Sequence, residues 1–209
     1  MKSKLGISFM IIGTALVLAA LSLFLYNRHE DEKAAQASLE LLPQLVAQIG
    51  EQSEEVPEVT TVIIPGTPVE LLKPEDVIMK EVEIDGYGYI GYLSVPSLNL
   101  ELPIMGDWDY TRLRIAPCRY SGTVLGEDLV IMAHNYSRHF GRLTELTPGD
   151  AVLFTDMDGK IAQYQVVAQD VLPPTAVEEM TAGECDLTLF TCTYGGQSRV
   201  TIWCDRIGD

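Results

Sequence analysis

The hydrophobic pattern of the chain changes character three times. Residues 5–26, LGISFMIIGTALVLAALSLFLY, are 22 positions without a charge. At the helical rise this run covers roughly 33 Å and predicts a helix able to cross a bilayer. Between residues 29 and 50, HEDEKAAQASLELLPQLVAQIG, apolar side chains recur at Leu39, Leu42, Val46 and Ile49. Those steps of three and four predict an amphipathic juxtamembrane stalk, interrupted at Pro43. EQSEEVPEV and IIPGTPVELLKPED then lose any sustained period and turn acidic and proline-rich, which reads as an extended tether. From about Val82 the runs are short and rich in Val, Ile, Tyr, Thr and Phe: YGYIGYLSVP, LNLELPIM, EDLVIMAHN, DAVLFTD, KIAQYQVVAQDVL, CDLTLFTC and RVTIWC. Turn signals separate them, so seven or eight strands are expected in an all-β barrel or sandwich, with helices confined to pieces such as 109–113 and 142–146. The expected organisation is 1–4, 5–26, 27–81 and 82–209: a cytoplasmic end, a single-pass span, a helical stalk with its linker, and a β-barrel domain.

Charge sharpens this division. The chain carries a formal net charge of −16, while its first 26 residues hold two lysines and no acid. A polyanion such as nucleic acid is therefore excluded as a partner, since no Lys/Arg cluster follows the span. Lys2 and Lys4 precede the span, and Glu30, Asp31 and Glu32 follow it with Arg28 and Lys33. The positive-inside rule accordingly puts the N-terminus in the cytoplasm and the rest outside. A cleaved signal peptide is the competing reading, but the apolar run is too long for one, and the first A-x-A, Ala35 to Ala37, lies beyond HEDEK. Four cysteines, Cys118, Cys185, Cys192 and Cys204, show no C-x-x-C spacing, so neither a zinc site nor a disulfide framework is signalled. The fragment DMDG lacks the remainder of a calcium loop and reads as a hairpin turn. No metal or cofactor is expected.

Candidate chemistry begins in TLFTCTYGGQSRV, residues 188–200. If Gly195 and Gly196 form a two-residue turn, Tyr194 faces Gln197 and Cys192 faces Arg199. Alternation then sends Leu189, Thr191, Val200, Ile202 and Cys204 to an apolar interior and leaves Cys192 and Arg199 on the other face. A thiol outside the core and beside a fixed positive charge is in the setting where thiolate acts as nucleophile. A semi-exposed strand cysteine beside a solvated arginine is the plainer alternative. His134 closes the strand run DLVIMAH, where a side chain reaches a cleft readily, and imidazole transfers protons near neutrality. A structural strand histidine is again the alternative. Pairing with His139 as metal ligands is disfavoured, because a five-residue interval matches neither strand nor helix spacing.

Taken together, T-L-x-T-C at 188–192, H-N at His134 and Asn135, H-F-G-R-L-x-x-L-x-x-G-D at 139–150 and the following Arg199 resemble the sortases, membrane-anchored cysteine transpeptidases of Gram-positive bacteria. The wording around His134, HFGRL and T-C-T-Y looks closer to class B and its relatives than to class A. The resemblance spans about 86–207 and implies a closed eight-stranded β-barrel. It also implies that Cys192 attacks a sorting-signal carbonyl, that His134 moves protons, and that Arg199 stabilises the developing oxyanion. Implied partners are secreted proteins bearing a C-terminal sorting signal and an amine acceptor, a peptidoglycan precursor or a pilin lysine. Asn135 and Tyr194 are candidate substrate contacts, Tyr136 and Trp203 possible groove walls, and Thr191 a packing residue. A papain-type hydrolase is disfavoured, since there the cysteine opens a helix and precedes its histidine. A catalytically inactive membrane-tethered barrel that binds a wall polymer or protein is the non-enzymatic alternative.

Overall fold

The structure, a computed structural model, describes residues 2–54, 79–182 and 184–208. The expected tether lies mostly outside the described residues. The chain opens with one uninterrupted helix, α1, Lys2–Glu54. Among the described residues it alone is long and apolar enough to cross a membrane. The interruption expected at Pro43 does not occur. An interior proline costs a helix about 3 kcal/mol, and here the same turns are held by tertiary burial of Leu41, Leu45 and Ile49 against the barrel. The buried face also differs from the expected one. Leu39 and Val46 are exposed, whereas Ala34, Ser38, Leu41, Leu45 and Ile49 are buried. Ile49 belongs to both rows, and Leu41 and Leu45 are as apolar as Leu39 and Val46; the row that docks is the one that also carries Ala34 and Ser38, whose small side chains permit close approach.

Nine strands follow among the described residues: β1 Val82–Ile84, β2 Tyr87–Val95, β3 Leu100–Met105, β4 Cys118–Ser121, β5 Leu129–Ala133, β6 Ala151–Asp156, β7 Ile161–Leu172, β8 Leu187–Cys192 and β9 Arg199–Arg206. A short helix, α2 (Val177–Thr181), lies between β7 and β8. Their order is β1-β2-β3-β4-β5-β8-β9-β7-β6, and β6 pairs back onto β2. Strands β2 to β9 thus close a ring of eight, with β1 a hairpin partner on β2. Closure passes through Gly91, whose φ of +146° accompanies a register shift in β2. A Cβ there would strike the carbonyl oxygen of Thr155 on β6, so only glycine allows the two strands to approach.

The barrel interior is filled by Ile90, Leu93, Ile104, Leu129, Ile131, Phe154 and their neighbours. The first half of β7 alternates exposed and buried positions, as expected of a sheet wet on one face. In contrast β8 is buried along Leu187–Thr191. Its inner side chains join the barrel core, while Phe190 packs outside with Val130, Leu172, Ala176 and Met180. A strand covered on both sides needs side chains that can be buried throughout, and LTLFT supplies three apolar residues with the buried threonines Thr188 and Thr191.

Candidate active site

Parallel pairing of β5 with β8 sets the geometry. Ala133 lies in register with Thr191, and the Thr191 hydroxyl donates to the Ala133 carbonyl at 2.8 Å. Parallel strands end at the same end of a sheet, so the next residues, His134 and Cys192, leave neighbouring strands side by side. On the other flank of β8, Cys192 pairs directly with Arg199 of β9. The sequence-derived register is therefore observed, and the three side chains stand at the ends of three adjoining strands. Leu189, Thr191, Val200, Ile202 and Cys204 are all buried, as alternation required, whereas Cys192 and Arg199 are half-buried.

The bend is looser than a two-residue turn. Gly196 N–H donates to the Thr193 carbonyl at 2.8 Å and Thr193 N–H to the Ser198 carbonyl at 2.9 Å. Both glycines have positive φ, which L side chains rarely adopt. The loop contains Tyr194 to Gln197, so the expected Tyr194–Gln197 pair is absent although the Cys192–Arg199 register is kept. Arg199 is tied to this bend: its Nη1 donates to the carbonyls of Gly196 and Ser198, each at 3.1 Å. Tyr194 is 90% exposed at the tip. A cleft of about 1620 Å³ between α1 and the barrel is lined by Tyr26, Glu101, Arg114, His134, Asn135 and Tyr194 among others. Cys192 and Arg199 do not line it, so the cleft adjoins the row of three rather than containing it.

His134 is half-buried. Burial first, and the positive charge of Arg114 second, hold its pKa below the ordinary histidine range. The imidazole is thus neutral near pH 7 and available to accept a proton. Arg114 stands on a short 3₁₀ turn, Arg112–Arg114, and nothing in the sequence pattern pointed to it.

His139 is buried and forms no part of a metal cluster; the described residues contain no such group. Burial pulls its pKa from 6.5 down to about 4, with the His134 charge acting in the same direction and the Ala34 backbone and Asp31 against it. The sign follows directly. Folded His139 stays neutral while the unfolded chain takes up a proton below about 6.5, so stability is full above that pH and falls between about 6.5 and about 4. The loss amounts to about 3 kcal/mol. Unfolding free energies of the detergent-solubilised chain across that window should show this slope, and His139→Gln should reduce it, leaving the part due to His134, whose pKa is also lowered. Equal slopes for the two proteins would contradict the assignment.

Residues 93–207, more than half of the chain, match the family model for the sortase domain. No curated protein matches the chain. Among solved structures it is similar to a sortase C1 from Streptococcus suis, at 28% identity and a TM-score of 0.52, over 58% of this chain and 74% of that one. It also resembles sortase C from Streptococcus pneumoniae, at 21% identity and a TM-score of 0.56, over 83% and 97% of the two chains. The likeness to sortase A from Corynebacterium diphtheriae has 24% identity and a TM-score of 0.53, and covers 59% of this chain but only 62% of the other. The last two likenesses bear on fold alone. These three neighbours are described as sortases of classes A and C.

Proposed function

The chain belongs to the sortase family, and on that premise we propose that it is a membrane-anchored transpeptidase working through a thioester on Cys192. The observation that carries this reading is the strand register, which aligns the ends of β5, β8 and β9 and so His134, Cys192 and Arg199. In the proposed cycle His134, neutral by virtue of burial and Arg114, accepts the Cys192 proton. The sulfur adds to a threonyl-glycine type of carbonyl in a sorting signal. The tetrahedral oxyanion is met by N–H donors of Arg199, preorganised by its bonds to the bend. Collapse breaks the C–N bond, and the protonated His134 gives its proton to the departing amine. An acceptor amine then attacks the thioester carbonyl, its proton passes to His134, and the Cys192 sulfur leaves.

The proposed donors are secreted proteins with a C-terminal sorting signal, and the acceptor is an amine of a peptidoglycan precursor or a pilin lysine. Residues 5–26 are the proposed anchor, with the N-terminus cytoplasmic, residues 82–209 the catalytic barrel outside the plasma membrane, and Asn135 and Tyr194 substrate contacts. A peptide library offered to the full chain, with glycine or diaminopimelate amines added, tests this reading. Sequence-selective cleavage that shifts from hydrolysis to amide transfer on adding amine is expected. Binding without cleavage of any peptide would favour the inactive barrel instead.

A further inference from the structure

The loop from His134 to His139 contains no regular element, and its position is set by partners. Phe140, which follows it, is buried in the barrel core. Within the loop, His139 N–H and Gly141 N–H both donate to the Tyr136 carbonyl, at 3.0 and 2.9 Å. Phe140 N–H donates to the His134 carbonyl at 3.4 Å, and two further partners come from α1. The Asp31 carboxylate accepts from the Ser137 backbone N–H at 2.8 Å and from the Ser137 hydroxyl at 2.5 Å. Seven residues on, and so two turns along the same helix face, Ser38 Oγ lies 3.3 Å from His139 Nε2, with both residues buried. Ala34 sits between them, 1% exposed. The grip reaches the candidate base through rings: His139 packs on Tyr136 at 5.6 Å between centroids, and Tyr136 on His134 at 5.1 Å.

We propose that α1 is a positioning element of the active site and not a tether alone: Asp31 and Ser38, acting through Ser137, His139 and the Tyr136 ring, hold His134 beside Cys192. This rests on the transpeptidase reading for the role of His134. Without Asp31 and Ser38 the loop would keep only its two ends, at Ala133 and Phe140, and its own backbone bonds, leaving the Ser137 and His139 side chains unheld. A displacement of about 1 Å at a reacting group costs on the order of 10²-fold in rate. Both gripping residues lie on the helix that carries the candidate span. Asp31 is five residues beyond Tyr26, roughly 8 Å along the axis. Anchoring and catalytic geometry would thus share one rigid body.

The test uses the full chain in detergent micelles, as wild type, Asp31→Ala, Ser38→Ala and the double variant, with Leu45→Ala as a control that loosens the helix away from the loop. Steady-state kinetics with the best library peptide and amide hydrogen exchange of residues 134–141 are measured on each. For the double variant kcat should fall roughly 10- to 100-fold with KM within about twofold, and exchange at Ser137 should quicken about tenfold or more. Unchanged Ser137 exchange would overturn the grip whether or not the peptide chemistry is correctly assigned. Faster exchange with unchanged kcat, or a kcat loss matched by Leu45→Ala at equal loss of stability, would overturn the positioning role. Retention of transfer by Cys192→Ala would defeat the transpeptidase reading separately and leave the exchange result standing.

Discussion

Cys192→Ala is expected to abolish thioester formation with a sorting-signal peptide, lowering turnover by at least about 10³-fold, while Cys185→Ala and Cys204→Ala keep it. The other thiols are set against this chemistry by their surroundings. Burial pushes Cys118 up to about 12, although Arg112 pulls against it. Burial also raises Cys204 well above the usual thiol range inside the barrel. Burial, then a hydrogen bond to Asp205, lifts Cys185 to about 11. Thiolate is the reactive form, so none of these three substitutes for Cys192 near neutrality. Cys204→Ala should lower stability by about 1 kcal/mol through the small void it leaves, without touching turnover. Gel or mass detection of the acyl-enzyme decides the matter; transfer by the Cys192 variant at an undiminished rate would reject the assignment.

Arg199→Lys is expected to cut kcat by about 10² to 10³-fold, the cost of one oxyanion donor, while leaving the fold intact. Arginine has five N–H donors in a planar fork. Nη1 already serves the Gly196 and Ser198 carbonyls, which leaves others of the fork for the substrate oxygen. A lysine ammonium is a single centre on a flexible stem and cannot hold the bend and meet the oxyanion with fixed geometry. Because Arg199 is half-buried at a strand end and makes no ion pair in the structure's described residues, thermal unfolding should shift little. Steady-state kinetics alongside a melting curve check both halves, and an unimpaired Lys variant removes the oxyanion role.

The Cys192–Arg199 register could be read from the sequence because two adjacent glycines fix the centre of the bend, and widening the loop evenly on both sides loses the Tyr194–Gln197 pair but keeps those of the strands beyond it. The inner row of Leu189, Thr191, Val200, Ile202 and Cys204 was legible for the same reason, since alternation propagates from one fixed pair. The approach of His134 was not derivable locally. It depends on β5 and β8 pairing in parallel across more than fifty residues, and no turn signal encodes a crossover of that length. Strand β4, CRYS, escaped notice because it is four residues long, polar in pattern, and joined to β3 through the single pair Met105–Cys118. On α1 the row through Leu41 and Leu45 docks in place of the one through Leu39 and Val46, with Ile49 common to both, because it also carries Ala34 and Ser38. Small side chains contribute through close approach, which a hydrophobicity period does not register. Asp31 likewise read as one acid in a solvated run, and only tertiary structure gives it Ser137 as a partner.

A transpeptidase working through Cys192 must carry a covalent acyl group on that one sulfur during turnover. Brief incubation of the wild-type chain with a cleavable sorting-signal peptide, acid quench and proteolytic mass mapping should find the N-terminal acyl fragment on the peptide containing Cys192, released by hydroxylamine and lost when an acceptor amine is present. Peptide turnover with no adduct on Cys192, or with the adduct on another residue, would contradict the account.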